Sequence, residues 1–230
     1  MRGFVLILFA AFSFGELVSR LIGNSLLHWF CKPGIMVTLG GYYLLHDRTT
    51  RSRAVLLAIF FSLAGDVALI IESEDFFITG LTAFLLGHLC YILAYRQHRF
   101  EAADNDLQGV QKIRLAFPIV LAGTGLVVVL YPTLGELRIP VVIYSAVLVA
   151  MVLSALFRFG RTTNNSFWMV FCGALTFMIS DSLLAIDKFL LPVSHASLLI
   201  MSTYIIAQFL LIQGLILHHP NLRMTRTIVA

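Results

Sequence analysis

Apolar residues along this chain fall into continuous blocks rather than alternating with polar ones. Each block runs for roughly 17–22 residues, enough for a helix rising about 1.5 Å per residue to cross a ~30 Å hydrocarbon core. Eight blocks read as spans, over residues 3–22, 31–46, 54–71, 76–95, 113–131, 137–158, 167–186 and 195–217. Strands of a membrane barrel would alternate in polarity, so the pattern predicts an all-α fold. The expected architecture is a polytopic membrane bundle of about eight helices, with residues 1–230 as a single transmembrane domain. The second span is short and Pro33 is read as its opening residue, as Pro140 is for the sixth. Arg2 and the cleavage-site-like Ala11-Phe12-Ser13 give the first span some signal-peptide character, but its length favours a retained helix.

Composition sharpens this reading. Of 230 residues 59% are apolar and 12% charged, where a water-soluble domain carries about a quarter charged. The formal charge of +4 therefore does not point to a nucleic-acid partner, because the basic residues sit between spans. With eight spans, twelve Lys and Arg residues fall on the side of the termini and four on the other. The twelve include Arg2, Arg48, Arg96, Arg158, Arg223 and Arg226; the four are Arg20, Lys32, Arg138 and Lys188. The positive-inside bias then places both termini in the cytoplasm, across the inner (plasma) membrane if the cell is bacterial. The acidic turn Glu72-Ser73-Glu74-Asp75 lies outside. Cys31, Cys90 and Cys172 show no CxxC spacing and read as packed thiols. Oligomeric state is left open.

Ionisable groups inside spans are costly and therefore informative. They are Glu16, Asp66, His88 and Asp181, with Lys32 at the mouth of span two and Tyr91, Tyr144, Ser180, Tyr204 and Gln208 as polar neighbours. The topology places Glu16, Asp66 and Asp181 at similar depth in the outer half, Tyr204 and Gln208 a little deeper, and His88 near the middle. Glu16 lies near enough to the outer interface to snorkel toward water. A single buried aspartate reads equally well as a structural acid. Two at one depth, on spans that a faint four-helix repeat would relate (Gly65-Asp66 against Ser180-Asp181), point to a functional pocket. His88 reads as a packed histidine, because His28, His46, His98, His218 and His219 fall at span ends or in loops and a metal hydrolase needs several convergent ligands. Tyr204 and Gln208, at i and i+4, share a helix face and also read as interhelical glue. No metal or other cofactor is expected. A nucleophile elbow, P-loop and dinucleotide fingerprint are all absent from the sequence.

The ordered polar positions resemble the YhhN/TMEM86 lysoplasmalogenase family. The elements are Lys32-Pro33, Gly65-Asp66-x-x-Leu69, Phe77-x-x-Gly80-x-x-x-Phe84-x-x-x-His88-x-x-Tyr91, Pro140-x-x-x-Tyr144, Gly173-Ala174-x-x-Phe177-x-x-Ser180-Asp181 and Tyr204-x-x-Ala207-Gln208. Each alone is weak, whereas the ordered set across spans two to eight is specific. The resemblance implies hydrolysis of the sn-1 vinyl ether of choline or ethanolamine lysoplasmalogens to a fatty aldehyde and a glycerophospho-amine, with a lysophospholipid in the membrane as substrate.

The residues suit that chemistry. A vinyl ether is stable to base and hydrolyses once its β-carbon is protonated, giving an oxocarbenium ion that water captures. One neutral carboxylic acid must donate the proton, and an ionised one must stabilise the cation. Asp66 and Asp181 in unequal surroundings meet both needs, as paired carboxylates do in glycosidases. Lys32 is placed to hold the lipid phosphate. The main rival is a small-solute or proton-coupled transporter, since repeated helices with midplane acids also suit transport. A hydrolase of another lysolipid is the second.

Overall fold

The computed structural model describes residues 1–46, 51–71, 73–100 and 107–218. Arg48, Glu72, His219, Arg223 and Arg226, used in the arguments above, lie outside the described residues. Eight α-helices follow one another: α1 Arg2–Ile22, α2 Ser25–Leu44, α3 Arg53–Ala68, α4 Glu74–Gln97, α5 Gly109–Leu130, α6 Arg138–Leu156, α7 Asn164–Phe189 and α8 Ala196–Ile216. A 3-10 turn, Gly135–Leu137, leads into α6. Six helices, α1 and α4 to α8, are long and apolar enough to cross a membrane. The protein is thus a polytopic helical bundle. The other two are α3, with 16 residues, and α2, with 20, which carries Lys32, His28 and two adjacent glycines.

The helix starts follow local chemistry. Side chains of Asn24, Ser52, Ser73 and Thr163 accept hydrogen bonds from backbone N–H groups in the first turns of α2, α3, α4 and α7, relieving donors that have no intrahelical partner. Glu74 and Asp75 add negative charge to the first turn of α4 and Arg96 adds positive charge to its last, each matching the helix dipole. Gly23, at φ 69°, ends α1 in the left-handed conformation and allows α2 to begin one residue after Asn24.

That early start corrects the expectation for the second span. Pro33 lies inside α2 rather than opening it. Proline is tolerated inside membrane helices when neighbouring groups restore the freed backbone's partners, so reading it as a helix start placed the boundary six residues late. His28, expected at a span end, is consequently within α2, and Lys32 lies two turns inside the helix. The fifth helix also begins earlier than expected, at Gly109, taking up part of the polar stretch before it.

Sequential helices pair as α1–α2, α3–α4, α5–α6 and α7–α8, and the pairs join through α2–α3, α4–α6, α6–α7 and α1–α8 contacts. α8 is the most enclosed helix, with Tyr204, Gln208, Leu211, Ile212 and Leu215 all buried, while α1 and α5 are peripheral. Gly173 sets the α7–α8 approach. A Cβ there would stand 3.0 Å from the Leu211 nitrogen and 3.1 Å from the Ala207 oxygen, so a larger residue would push α8 away. Outward faces carry Phe4, Ile7, Phe30, Phe60, Val110, Ile113, Phe117 and Val128, apolar girdles suited to lipid contact. Cys31 and Cys90 are buried, but Cys172 is exposed on α7; its neighbours Gly173 and Ala174 turn to the interior and carry it outward.

Candidate active site

The ionisable residues converge at one end of the bundle. Asp66, in the last turn of α3, is 1% exposed, and Tyr204 of α8 donates a 2.7 Å hydrogen bond to its Oδ2. Gln208, one turn on, donates to the Tyr204 hydroxyl at 3.3 Å and accepts from the Tyr91 hydroxyl of α4 at 2.6 Å. A relay from Tyr91 through Gln208 and Tyr204 to Asp66 therefore links α4, α8 and α3. The three hydroxyl and amide links give each side chain in it a partner, as such networks require.

Asp181 of α7 has different company. Tyr144 of α6 donates to its Oδ2 at 2.6 Å. His88 of α4 stands with Nε2 3.8 Å from that same oxygen, and neither ring nitrogen of this buried histidine has a hydrogen-bond partner. Phe177 and Tyr144 pack edge-on against the imidazole. Oδ1 of each aspartate is left without a hydrogen bond among the described residues. Ser180, beside Asp181, turns its hydroxyl to the Ile200 carbonyl at 3.0 Å and so ties α7 to α8.

A cavity of about 490 Å³ opens above the pair. Its lining includes Lys32, Asp66, Ser180, Asp181 and Tyr204. Tyr144 is reached from an apolar cleft next to it, while His88, Tyr91 and Gln208 stand behind the lining. Lys32 is 5% exposed and forms no ion pair within 4 Å among the described residues. Phe84 of α4 packs against Tyr204 and Phe177 and adds an apolar face to the cavity lining. Gly65 makes room for it, because a Cβ there would lie 2.7 Å from the Phe84 ring.

Sequence reading missed the charged rim. Arg20, Glu74, Asp187 and Lys188 all line the cavity mouth, yet Arg20 and Lys188 entered the argument only as members of a charge count. Glu16 does not snorkel. It is fully buried, accepting from Arg20 Nε at 3.0 Å and meeting His28 Nδ1 at 2.9 Å. His28 Nε2 in turn lies 2.9 Å from Arg20 Nη2. The physical reason is the early start of α2, which brings His28 beside α1 and completes an ion-pair cluster where solvent was expected. Glu16 and Arg20 at i and i+4 were the available signal. Among the described residues no three His, Cys, Asp or Glu side chains gather into a metal-binding group.

Known proteins are similar to this chain over most of its length. A lysoplasmalogenase of Mycobacterium tuberculosis is 32% identical over 199 residues, covering 85% of this chain and 73% of its own. Human lysoplasmalogenase TMEM86A is 32% identical over 188 residues, covering 79% of this chain and 72% of its own. Human lysoplasmalogenase TMEM86B is 30% identical over 195 residues, covering 83% and 77%. No solved structure matches. The YhhN family model matches residues 27–215, from the first turns of α2 to the end of α8, which are the helices that carry both aspartates, Lys32 and the tyrosine relay; the chain belongs to the YhhN family.

Proposed function

We propose that this protein is a lysoplasmalogenase, hydrolysing the sn-1 vinyl ether of choline or ethanolamine lysoplasmalogens inside one transmembrane domain. The observation that carries the reading is the placing of two aspartates, Asp66 buried and Asp181 partly buried, differently hydrogen-bonded, on the wall of one cavity with a charged rim. Relatives named lysoplasmalogenase support the same activity.

The proposed mechanism assigns the aspartates unequal roles. Asp181 borders the apolar cleft and keeps Oδ1 free, which suits it to hold a proton and deliver it to the vinyl β-carbon. That transfer forms a C–H bond and leaves an oxocarbenium ion between the former α-carbon and the ether oxygen. Asp66 shares its cavity wall with Lys32, and in this assignment it is the ionised partner that sets a negative charge against the cation. Water then adds to the cationic carbon, giving a hemiacetal and returning a proton to the acid. Collapse of the hemiacetal releases fatty aldehyde and glycerophospho-amine. Arg20 at the mouth and Lys32 deeper in the wall suit the phosphate, and Glu74 and Asp187 suit the ammonium of the headgroup.

The test is aldehyde release from a purified lysoplasmalogen by purified protein, with and without a chelator. Release that survives chelation is the expected result. No release overturns the activity, and release restored only by added metal overturns the cofactor-free mechanism.

Replacing Arg20 or Lys32 by alanine is expected to raise KM at least several-fold with a smaller change in kcat, since a phosphate contact helps ground and transition states alike. A fall in kcat at unchanged KM for either variant would remove it from headgroup binding. Orientation is also proposed, with both termini cytoplasmic and the cavity opening on the opposite side. Cysteines introduced at positions 73 and 104 are then labelled from opposite faces of the membrane, and labelling from one face would contradict it.

A further inference from the structure

The polar cavity continues past Asp181 into a second cleft. Leu69, Phe77, Phe84, Asp181 and Leu184 line both. The cleft runs between α4, α5, α6 and α7, walled by Leu81, Leu126, Val127, Leu148, Ala185 and Phe189. Its two serines do not make it polar. Ser182 donates to the Met178 carbonyl at 2.6 Å and Ser145 to the Gly123 carbonyl at 3.4 Å, so both hydroxyls are spent on backbone.

α4 and α5 both pack against α6, and α5 also against α7. α6 therefore forms a floor, with α4 and α5 standing on either side. Both helices also expose apolar side chains, Leu86 and Leu93 on α4 and Leu121 and Val128 on α5.

We infer that this cleft, about 60 Å³ in volume, takes the first carbons of the substrate's long unbranched alkenyl chain, and that the rest of the chain passes between α4 and α5 into the bilayer. The inference rests on the lysoplasmalogenase reading and adds the direction in which the lipid lies. Polarity changes across Asp181: charged side chains line one side and hydrocarbon the other. A lysoplasmalogen changes polarity at the same chemical point, because its vinyl carbons are the first two of the chain and the glycerol begins at the ether oxygen. Seating the chain in the cleft puts the β-carbon on the Asp181 side and the ether oxygen toward Asp66 and Lys32. The cleft is also what orients the reacting bond, since a lipid held only by its headgroup could swing its chain freely.

The test narrows the cleft from opposite walls with Ala185→Phe and Val127→Phe. In each variant that retains the wild-type melting temperature within a few degrees, kcat/KM for a long-chain lysoplasmalogen should fall at least ~10-fold relative to a short-chain one, the scale of discrimination a filled apolar pocket supplies. A second measurement needs no turnover. In a Cys172→Ser background, the cysteine of Leu126→Cys should be alkylated more slowly when saturated 1-O-hexadecyl-glycerophosphocholine is present. That lipid lacks the vinyl bond, so protection reports the seat even if the protein cleaves some other lysolipid. Absent aldehyde release with protection intact would fault the reaction and leave the seat standing. An unchanged chain-length ratio in a folded variant, or alkylation at the same rate with and without lipid, overturns the seat.

Discussion

Asp66→Asn and Asp181→Asn are each expected to lower kcat for aldehyde release by at least ~10²-fold, the low end for a general acid or base. Asparagine keeps the size and the capacity to accept from Tyr204 or Tyr144, so both variants should fold and melt near the wild-type temperature. Removing the carboxylate takes away proton delivery at Asp181 and charge at Asp66. The pH dependence separates the two roles. A donor works only while protonated, so the wild-type rate falls as pH rises through the donor's titration. Asp66→Asn should keep that descending limb at its lower rate, and Asp181→Asn should lose it. If Asp181→Asn keeps the limb and Asp66→Asn loses it, the assignments are reversed. If both variants retain near-wild-type turnover, the two-carboxylate mechanism is wrong and His88, the unpartnered neighbour of Asp181, becomes the first residue to examine.

Saturating the vinyl bond is expected to have the largest effect of any change to the substrate. A 1-O-alkyl lysolipid presents the same headgroup, glycerol and chain but has no carbon that can accept a proton to form an oxocarbenium ion. It should bind with an inhibition constant close to the substrate's KM and yield no product within detection. The comparison isolates chemistry from binding, since every contact at the rim is retained. Cleavage of the alkyl ether at a rate comparable to the vinyl ether would exclude protonation at carbon as the step the site performs. Efficient cleavage of a 1-acyl lysolipid would instead favour a hydrolase with a different bond preference.

Much of this site could be seen in the chain before its fold was known, and the reason is physical. In a bilayer an apolar residue carries little information about its position, because lipid and protein interior are equally apolar. A buried carboxylate carries a great deal. Asp66 and Asp181 stood out by cost alone, and matched depth was enough to suggest one cavity for both. Rotation about each helix axis could not be read, because helices apolar on every side give no preferred face. For that reason the sequence suggested Tyr204 and Gln208 as neighbours but not the relay that joins them to Tyr91, and it did not suggest that Tyr144 serves Asp181. The early start of α2 was hidden by Pro33, whose usual place is the first helical turn. With it was hidden the Glu16–Arg20–His28 cluster, which depends on two helices meeting at Gly23. The rim charges were visible as residues and not as a rim. Glu74, Asp187 and Lys188 come from helix ends that only tertiary packing brings to one mouth.

Proton transfer to carbon leaves a permanent mark in the product, and this offers the most direct measurement of the central claim. Turnover of a lysoplasmalogen in deuterium oxide, with the aldehyde reduced to its alcohol as it forms, should give product with one deuterium at carbon 2 in a single configuration, and the reaction should run more slowly than in ordinary water. A product with deuterium in both configurations at carbon 2, formed at the same rate in both solvents, would contradict acid-initiated hydrolysis at this pair of aspartates.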